Sequence, residues 1–462
     1  MATTTGAKRG IWPMIRRIAA SDRISGLIML GFALAGLVLA NLPLTAHAFE
    51  AVAETHVFIQ HTTLDLQIGH WAPDGLLTIF FLTVGLELKQ ALTTGSLANP
   101  KAAAVPMLCA VGGMITPPIL FLATTALFSQ FGPGEPGSLI LTTTGSSIPF
   151  AEMSHGWAVP TATDIAFSLA VLALFAKALP GSIRAFLMTL ATVDDLLAII
   201  LIAVFFSSVN AWYWFIGIAV CAAVWAHLVR LKKVPWIAVG VVGILAWIMM
   251  FEAGIHPTLA GVLVGLLTPA RVMHGEYSPR AERYADKLKP FSALLALPIF
   301  ALFATGVHFE SISPLLLLSP LVIALIVALV VGKPLGIIVT AWLATHVGGL
   351  KMAKGLRVRD MIPAAVACGI GFTVSFLIAS LAYTNQELSA EARFGVLVAS
   401  LIAAAISGVL LSRQSKRFEQ AVAVAAAEAD AESDVNTHSD ELAEHSITLA
   451  DGTESVEIDF RR

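Results

Sequence analysis

Asp194 and Asp195 are neighbours inside a predominantly apolar run from Ile183 to Phe206. A carboxylate at the centre of a bilayer costs about 3 kcal/mol or more, so such residues face a bundle interior and mark ion or proton paths. Consecutive helical positions project about 100° apart, so the two carboxylates cannot share one direction. The arrangement implies a division of labour, one coordinating a cation while the other pairs with a cation of the protein. Lys333 is the candidate partner, because Asp164, Asp194, Asp195 and Lys333 are the four ionisable residues deep in apolar spans. A buried salt bridge that only holds helices together is the alternative, but two carboxylates for one lysine is unbalanced for that purpose. A hard cation such as Na+ takes carboxylate, hydroxyl and carbonyl oxygens. Thr163 and nearby unwound carbonyls would complete such a shell.

Burial and a like-charged neighbour both disfavour ionisation of a carboxyl group, so protons and metal ions compete for the same oxygens. A site that faces one side at a time would then exchange cation for proton. The elements holding it must be unusual. Asp164 follows Val159-Pro160-Thr161-Ala162-Thr163, and another apolar run contains Cys368-Gly369-Ile370-Gly371-Phe372-Thr373. Both read as interrupted helices, and paired interruptions point to a transporter site near the midplane. Broken helices expose positive N-termini and negative C-termini. Asp164 is suited to offset the former and Lys333 the latter.

Of the 462 residues, 57% are hydrophobic and 13% charged, with a mean hydropathy of +0.82. Soluble domains are nearer a quarter charged. Twelve apolar runs of membrane-spanning scale are legible, approximately 24–42, 74–93, 103–127, 157–176, 182–207, 211–229, 235–251, 255–269, 290–308, 316–346, 361–383 and 393–412. The chain is therefore expected to be an all-α polytopic membrane protein with twelve transmembrane helices, the fourth and eleventh interrupted. With that count every basic cluster (89 and 101, 177 and 184, 230 to 233, 271 to 289, 351 to 359, 413 to 417) shares a side with the basic start. The opposite loops, 43–73, 128–156, 208–210, 252–254, 309–315 and 384–392, hold no Lys or Arg. Both termini are thus expected in the cytoplasm. Arg393 and Lys333 alone fall outside this pattern.

The division expected is a cytoplasmic segment 1–23, a membrane domain 24–413, and an acidic tail 414–462 that begins as a short helix and continues disordered. No cleavable signal peptide is expected, and the first helix is read as retained. In the loop 43–73, Leu64, Leu66 and Ile68 alternate with polar residues and suggest a β-hairpin whose edge could pair with a second subunit. His56, His61 and His70 lie in this loop without the spacing of a metal site. Cys109, Cys221 and Cys368 all sit in apolar stretches and are read as packing residues.

Six segments resemble the NhaA family of sodium/proton antiporters over nearly the whole chain from the first helix to about residue 412. They are Asp74 to Lys89, Ala162-Thr-Asp-Ile-Ala-Phe-Ser168, Val193-Asp-Asp-Leu196, His256-Pro-Thr-Leu-Ala-Gly-Val262, Gly332-Lys-Pro-Leu-Gly336 and Gly369-Ile-Gly-Phe-Thr-Val-Ser375. The resemblance implies inverted-topology repeats, an architecture this family shares with other secondary transporters, with helices 4 and 11 crossing. It implies electrogenic exchange of two protons for one Na+ or Li+, serving pH and sodium homeostasis, in the cell (inner) membrane. It implies Asp194 and Asp195 as the cation-binding pair, Asp164 and Lys333 as the compensating charges, and a homodimer joined through the hairpin. Whether Lys333 itself carries a proton is left open by the sequence. Glu87, His256 and Asp74 match positions linked to pH response. Departures occur at Gln90 and Ala91, where a charged pair is expected, and before Pro290, where Ala285, Asp286 and Lys289 replace the family's histidines and glutamate. These departures imply a shifted or blunted pH threshold.

No Walker-type motif is present, so the energy source should be an ion gradient. No His-Glu-x-x-His or Gly-x-Ser-x-Gly sequence is present, which argues against an intramembrane enzyme. A passive cation channel using a carboxylate ring and a sodium-coupled symporter for an organic anion remain the other readings. The single paired-carboxylate locus opposes the first, and the motif match opposes the second. The expected partners are Na+, Li+, protons and membrane lipid; no cofactor and no nucleic acid is expected.

Overall fold

A computed structural model describes residues 18–19, 21–57, 65–130, 149–176, 181–209, 211–306, 314–352 and 356–450. Among these, seven helices are long and apolar enough to cross a bilayer: Ile24–Asn41, Ala72–Thr93, Ala103–Ser129, Gly181–Phe205, Arg280–Thr305, Pro320–His346 and Gln386–Ala421. Two bent pairs add to them. Phe150–Thr161 meets Ile165–Phe175 at 53°, and Val358–Ala367 meets Phe372–Ala382 at 58°. Three shorter apolar helices, Trp214–Leu228, Trp236–Glu252 and Thr258–Leu267, coincide with the sixth, seventh and eighth apolar runs. The chain is an all-α polytopic membrane protein.

The breaks fall where the sequence weakens the backbone ladder. Pro160 lies in the 3-10 turn His155–Thr161 and cannot donate a helical hydrogen bond. Gly369 and Gly371 interrupt the eleventh run between Ala367 and Phe372. Proline also widens helices without breaking them. Its ring crowds the carbonyl four residues back, and Val330 before Pro334 and Leu294 before Pro298 both lie in π turns, Val327–Gly332 and Ser292–Ala296. The first of these turns ends immediately before Lys333 and sets its direction. Gly336 then lets the tenth span press against the third, because a Cβ there would collide with the Gly112 carbonyl oxygen. Gly261 does the same for the eighth span against the second, where a Cβ would collide with the Thr78 carbonyl oxygen.

Three regions differ from the sequence reading. The ninth helix starts at Arg280 rather than near Pro290, because the polar segment Arg280–Lys289 is already helical. The hairpin pairs His56–Val57 with Leu66–Gln67 in antiparallel register, His56 opposite Gln67 and Val57 opposite Leu66. Ile68, read as part of the alternating strand, instead starts a helical turn, while Leu64 and His61 lie outside the described residues. The last helix continues from Gln386 to Ala450, so the backbone of 414–450 is helical where the composition suggests disorder; residues 451–462 lie outside the described residues. Cys109, Cys221 and Cys368 are free and buried.

Candidate functional site

The two helix breaks lie against each other and are stitched by backbone and hydroxyl contacts. The Asp164 amide donates to the Ile370 carbonyl (2.7 Å). The Thr163 hydroxyl donates to the Cys368 carbonyl (2.9 Å), and the Ser168 hydroxyl to the Ala367 carbonyl (2.8 Å). The fourth-span break thereby supplies donors for three carbonyls that the eleventh-span break has freed. Buried backbone groups in a membrane must find such partners.

Asp164, 3% exposed, caps both downstream half-helices. Its Oδ1 accepts from the Phe167 amide at 2.9 Å, in the first turn of Ile165–Phe175. Its Oδ2 accepts from the Thr373 amide at 3.2 Å, in the first turn of Phe372–Ala382. One carboxylate therefore meets the positive ends of two helix dipoles. The opposite charge sits on the other side of the fourth-span break. Lys333, fully buried, donates to the Thr161 carbonyl, at the end of the 3-10 turn. Its Nζ also lies 2.8 Å from Asp194 Oδ2.

Asp194 and Asp195 part company here. Asp194 is buried and paired with Lys333. Asp195 is partly exposed, and among the described residues it makes no hydrogen bond or ion pair. The charges that act on it are Asp194, Asp164, Glu87 and Lys333. A carboxylate held among three other acids and one lysine has its oxygens free for a ligand.

The remaining sequence-derived positions separate into two places. Glu87 is exposed on the second span, and Gln90 nearby buries an amide nitrogen that has no hydrogen-bond partner among the described residues. Ala285 is buried, while Asp286 and Lys289 lie on the helix Arg280–Phe291 with their side chains less enclosed. Asp74 and His256 come together away from the breaks. The His256 Nε2 is 3.5 Å from Asp74 Oδ1, and its Nδ1 is 2.7 Å from the Thr258 hydroxyl. Trp247 donates to the Asp74 carbonyl at 2.9 Å and stacks on Trp71, tying the start of the second span to the seventh.

One charged cluster has no counterpart in the sequence reading. Arg280, 1% exposed, donates to the carbonyls of Val229 (2.6 Å) and Leu231 (2.7 Å) and forks onto Glu276, with Nη2 2.7 Å and Nε 3.0 Å from Oε1. Arg283 takes the other Glu276 oxygen at 2.6 Å. Arg280 so satisfies the frayed end of the sixth span from the start of the ninth. Its side-chain hydrogen bond also holds the Glu276 carboxyl below its usual range. The sequence signal available is Glu276 four residues before Arg280, a spacing that pairs on a helix or tight turn.

Helix breaks that abut around a sealed lysine–aspartate pair define a polytopic membrane protein of the architecture used by secondary transporters. A family profile described as Na+/H+ antiporter 1 matches residues 16–151 and 140–411. A Na(+)/H(+) antiporter NhaA from Bifidobacterium breve is 98% identical over 462 residues, covering 100% of both chains. One from Bifidobacterium longum is 86% identical over 471 aligned residues, again covering 100% of both. A more distant relative, Na(+)/H(+) antiporter NhaA 1 of Kineococcus radiotolerans, is 37% identical over 91% of this chain and 95% of its own. The chain belongs to the NhaA family of Na+/H+ antiporters.

Proposed function

We propose that the protein is a secondary antiporter that exports Na+ or Li+ in exchange for two protons, in pH and sodium homeostasis. The observation that carries this reading is the asymmetry of the aspartate pair: Asp194 is neutralised by Lys333, and Asp195 has no partner of its own among the described residues. Asp195 is the primary cation ligand. Asp194 joins it when the lysine contact is released, and Thr163 and the freed carbonyls at the break supply further oxygens. Binding of the cation displaces one proton from Asp195 and one from the Lys333–Asp194 contact. Opening the site to the opposite side reverses the exchange.

Asp164 and Lys333 hold the crossing together in this scheme by offsetting the ends of the half-helices. Twelve crossings, inverted repeats, and both termini on the cytoplasmic side of the cell membrane belong to the same reading. It is supported by the match of all twelve apolar runs to helices and by the distribution of Lys and Arg. The chain then divides into a segment 1–23, an antiporter domain 24–413 and an acidic tail. A homodimer formed at the edge of the His56–Gln67 hairpin completes it. Glu87, Asp74 and His256 are the proposed pH-responsive groups, with a threshold altered by Gln90, Ala91 and the uncharged Ala285.

The test is pH-gradient dequenching in everted membrane vesicles on addition of Na+, Li+ or K+. Proton movement on Na+ and Li+ addition at about neutral to alkaline pH, where protons and cations compete for the carboxylates, is the expected result. No movement with either ion would sink the proposal, and a conductance without proton coupling would favour a channel.

A further inference from the structure

A crevice of ≈ 220 Å³ lies between the first span, the second half of the fourth, and the last. Leu27 and Leu30 form one wall, Ala170 and Phe175 the second, Leu401 and Ala405 the third. No residue lining it carries a charged or hydrogen-bonding side chain. Its floor is a close helix contact, since a Cβ on Gly26 would fall 2.5 Å from Ala170 Cβ. Its rim faces outward: Leu27 is 51% exposed, and Phe175 and Leu401 are 39% exposed. A dry crevice at membrane depth that is open to hydrocarbon fits an acyl chain.

The last helix also carries the charge that would select the headgroup. From Ala405 one face continues through Val409 and Ser412 to Lys416, at alternating spacings of four and three residues. Along that face the side chains pass from apolar, to a small hydroxyl, to a cation, as they would on leaving hydrocarbon for the headgroup layer. Arg413 and Arg417 flank its end, and all three basic side chains are exposed. Among the described residues none of them has an ion pair. About eleven residues of helix separate Ala405 from Lys416, a rise of about 16 Å, close to the half-thickness of a ~30 Å hydrocarbon core. Basic residues one leaflet above an apolar crevice attract anionic lipid headgroups. We propose that this crevice is a binding site for one anionic phospholipid, its acyl chain between the three spans and its headgroup on Arg413, Lys416 and Arg417. The bound chain lies along Ile165–Phe175, the half-helix whose first turn Asp164 caps, and so braces one arm of the crossing. The inference stands whichever ion the protein exchanges.

The test is native mass spectrometry of the full-length protein titrated with palmitoyl-oleoyl phosphatidylglycerol or the matching phosphatidylcholine. Three proteins are compared: the unaltered chain, the triple variant Arg413→Gln, Lys416→Gln, Arg417→Gln, and Ala405→Trp, which fills the crevice from its exposed rim. Circular dichroism melting checks that each variant folds. The unaltered chain should bind one phosphatidylglycerol about 10-fold or more tightly than phosphatidylcholine, the scale expected of several surface cations. The triple variant should lose that preference, and Ala405→Trp should lose the bound lipid of either kind. Equal binding of the two lipids by the unaltered chain would overturn the proposal. So would loss in the triple variant with none in Ala405→Trp, which would mean a headgroup contact without the crevice.

Discussion

Among the described residues, two buried cations are held in opposite ways. At the sixth-to-ninth helix junction Arg280 is saturated. It has two carbonyls and both its fork contacts on Glu276, whose second oxygen is taken by Arg283. At the helix breaks Lys333 has one carboxylate and one carbonyl, and a second carboxylate, Asp195, stands by unpaired among the described residues. Arginine stays protonated in proteins and presents a rigid fork, whereas a buried lysine can give up its proton. The first arrangement can only hold; the second has a further carboxylate within its reach to exchange partners. On the reading proposed above, that difference separates a structural clamp from an ion site.

Substitutions on the two sides should therefore fail differently. Arg280→Ala leaves the Val229 and Leu231 carbonyls unpaired and Glu276 with Arg283 alone, and should destabilise the fold by about 3 kcal/mol or more, read as a lowered melting temperature. Any protein that still folds should keep its Na+ affinity. If Arg280→Ala instead melted normally and lost exchange, the junction would be part of the transport machinery. Asp195→Asn should melt like the unaltered protein yet reduce exchange by about 100-fold or more, the loss of roughly 3 kcal/mol of charge-assisted binding. Dequenching in vesicles reads this, and near-normal turnover would mean that Asp195 is not the ligand.

Asp164→Asn removes the charge from two helix N-termini and replaces one of the two acceptor oxygens with an NH2 that cannot accept from an amide. It should cost about 1–2 kcal/mol of stability and weaken Na+ binding only modestly; an effect as large as that of Asp195→Asn would make Asp164 a direct ligand. The smallest effect belongs to Glu276. Its carboxyl is held below the usual range by Arg280, so the stability it contributes is present above the ordinary glutamate value and lost as pH falls through the lower, folded value. Melting curves should show the clamp unchanged from about pH 6 to 9 and weakening only below about pH 4. Glu276→Gln should remove that acid dependence.

Much of the crossing is legible in the sequence because ionisable residues are so costly in hydrocarbon. Asp164, Asp194, Asp195 and Lys333 announce themselves in apolar runs, and Pro160, Gly369 and Gly371 mark the breaks. Which group meets which is not legible. The Asp164 cap on the Thr373 amide joins residues 209 positions apart, and the Asp74–His256 contact depends on how the second and eighth spans pack. Arg280 is hidden for another reason. It lies among other basic residues in a segment between spans, where a charge reads as an orientation signal and burial is invisible. The helical tail to Ala450 escapes the sequence reading because its composition, rich in alanine and glutamate, suits solvated helix and disorder alike.

The proposed exchange rests on competition between Na+ and protons for the Asp194–Asp195 pair. Counting protons released when Na+ is added to the purified, weakly buffered protein tests it most directly. Release should saturate with Na+ and disappear in Asp195→Asn. Na+ binding with no proton release, or the same release from Asp195→Asn, would contradict it.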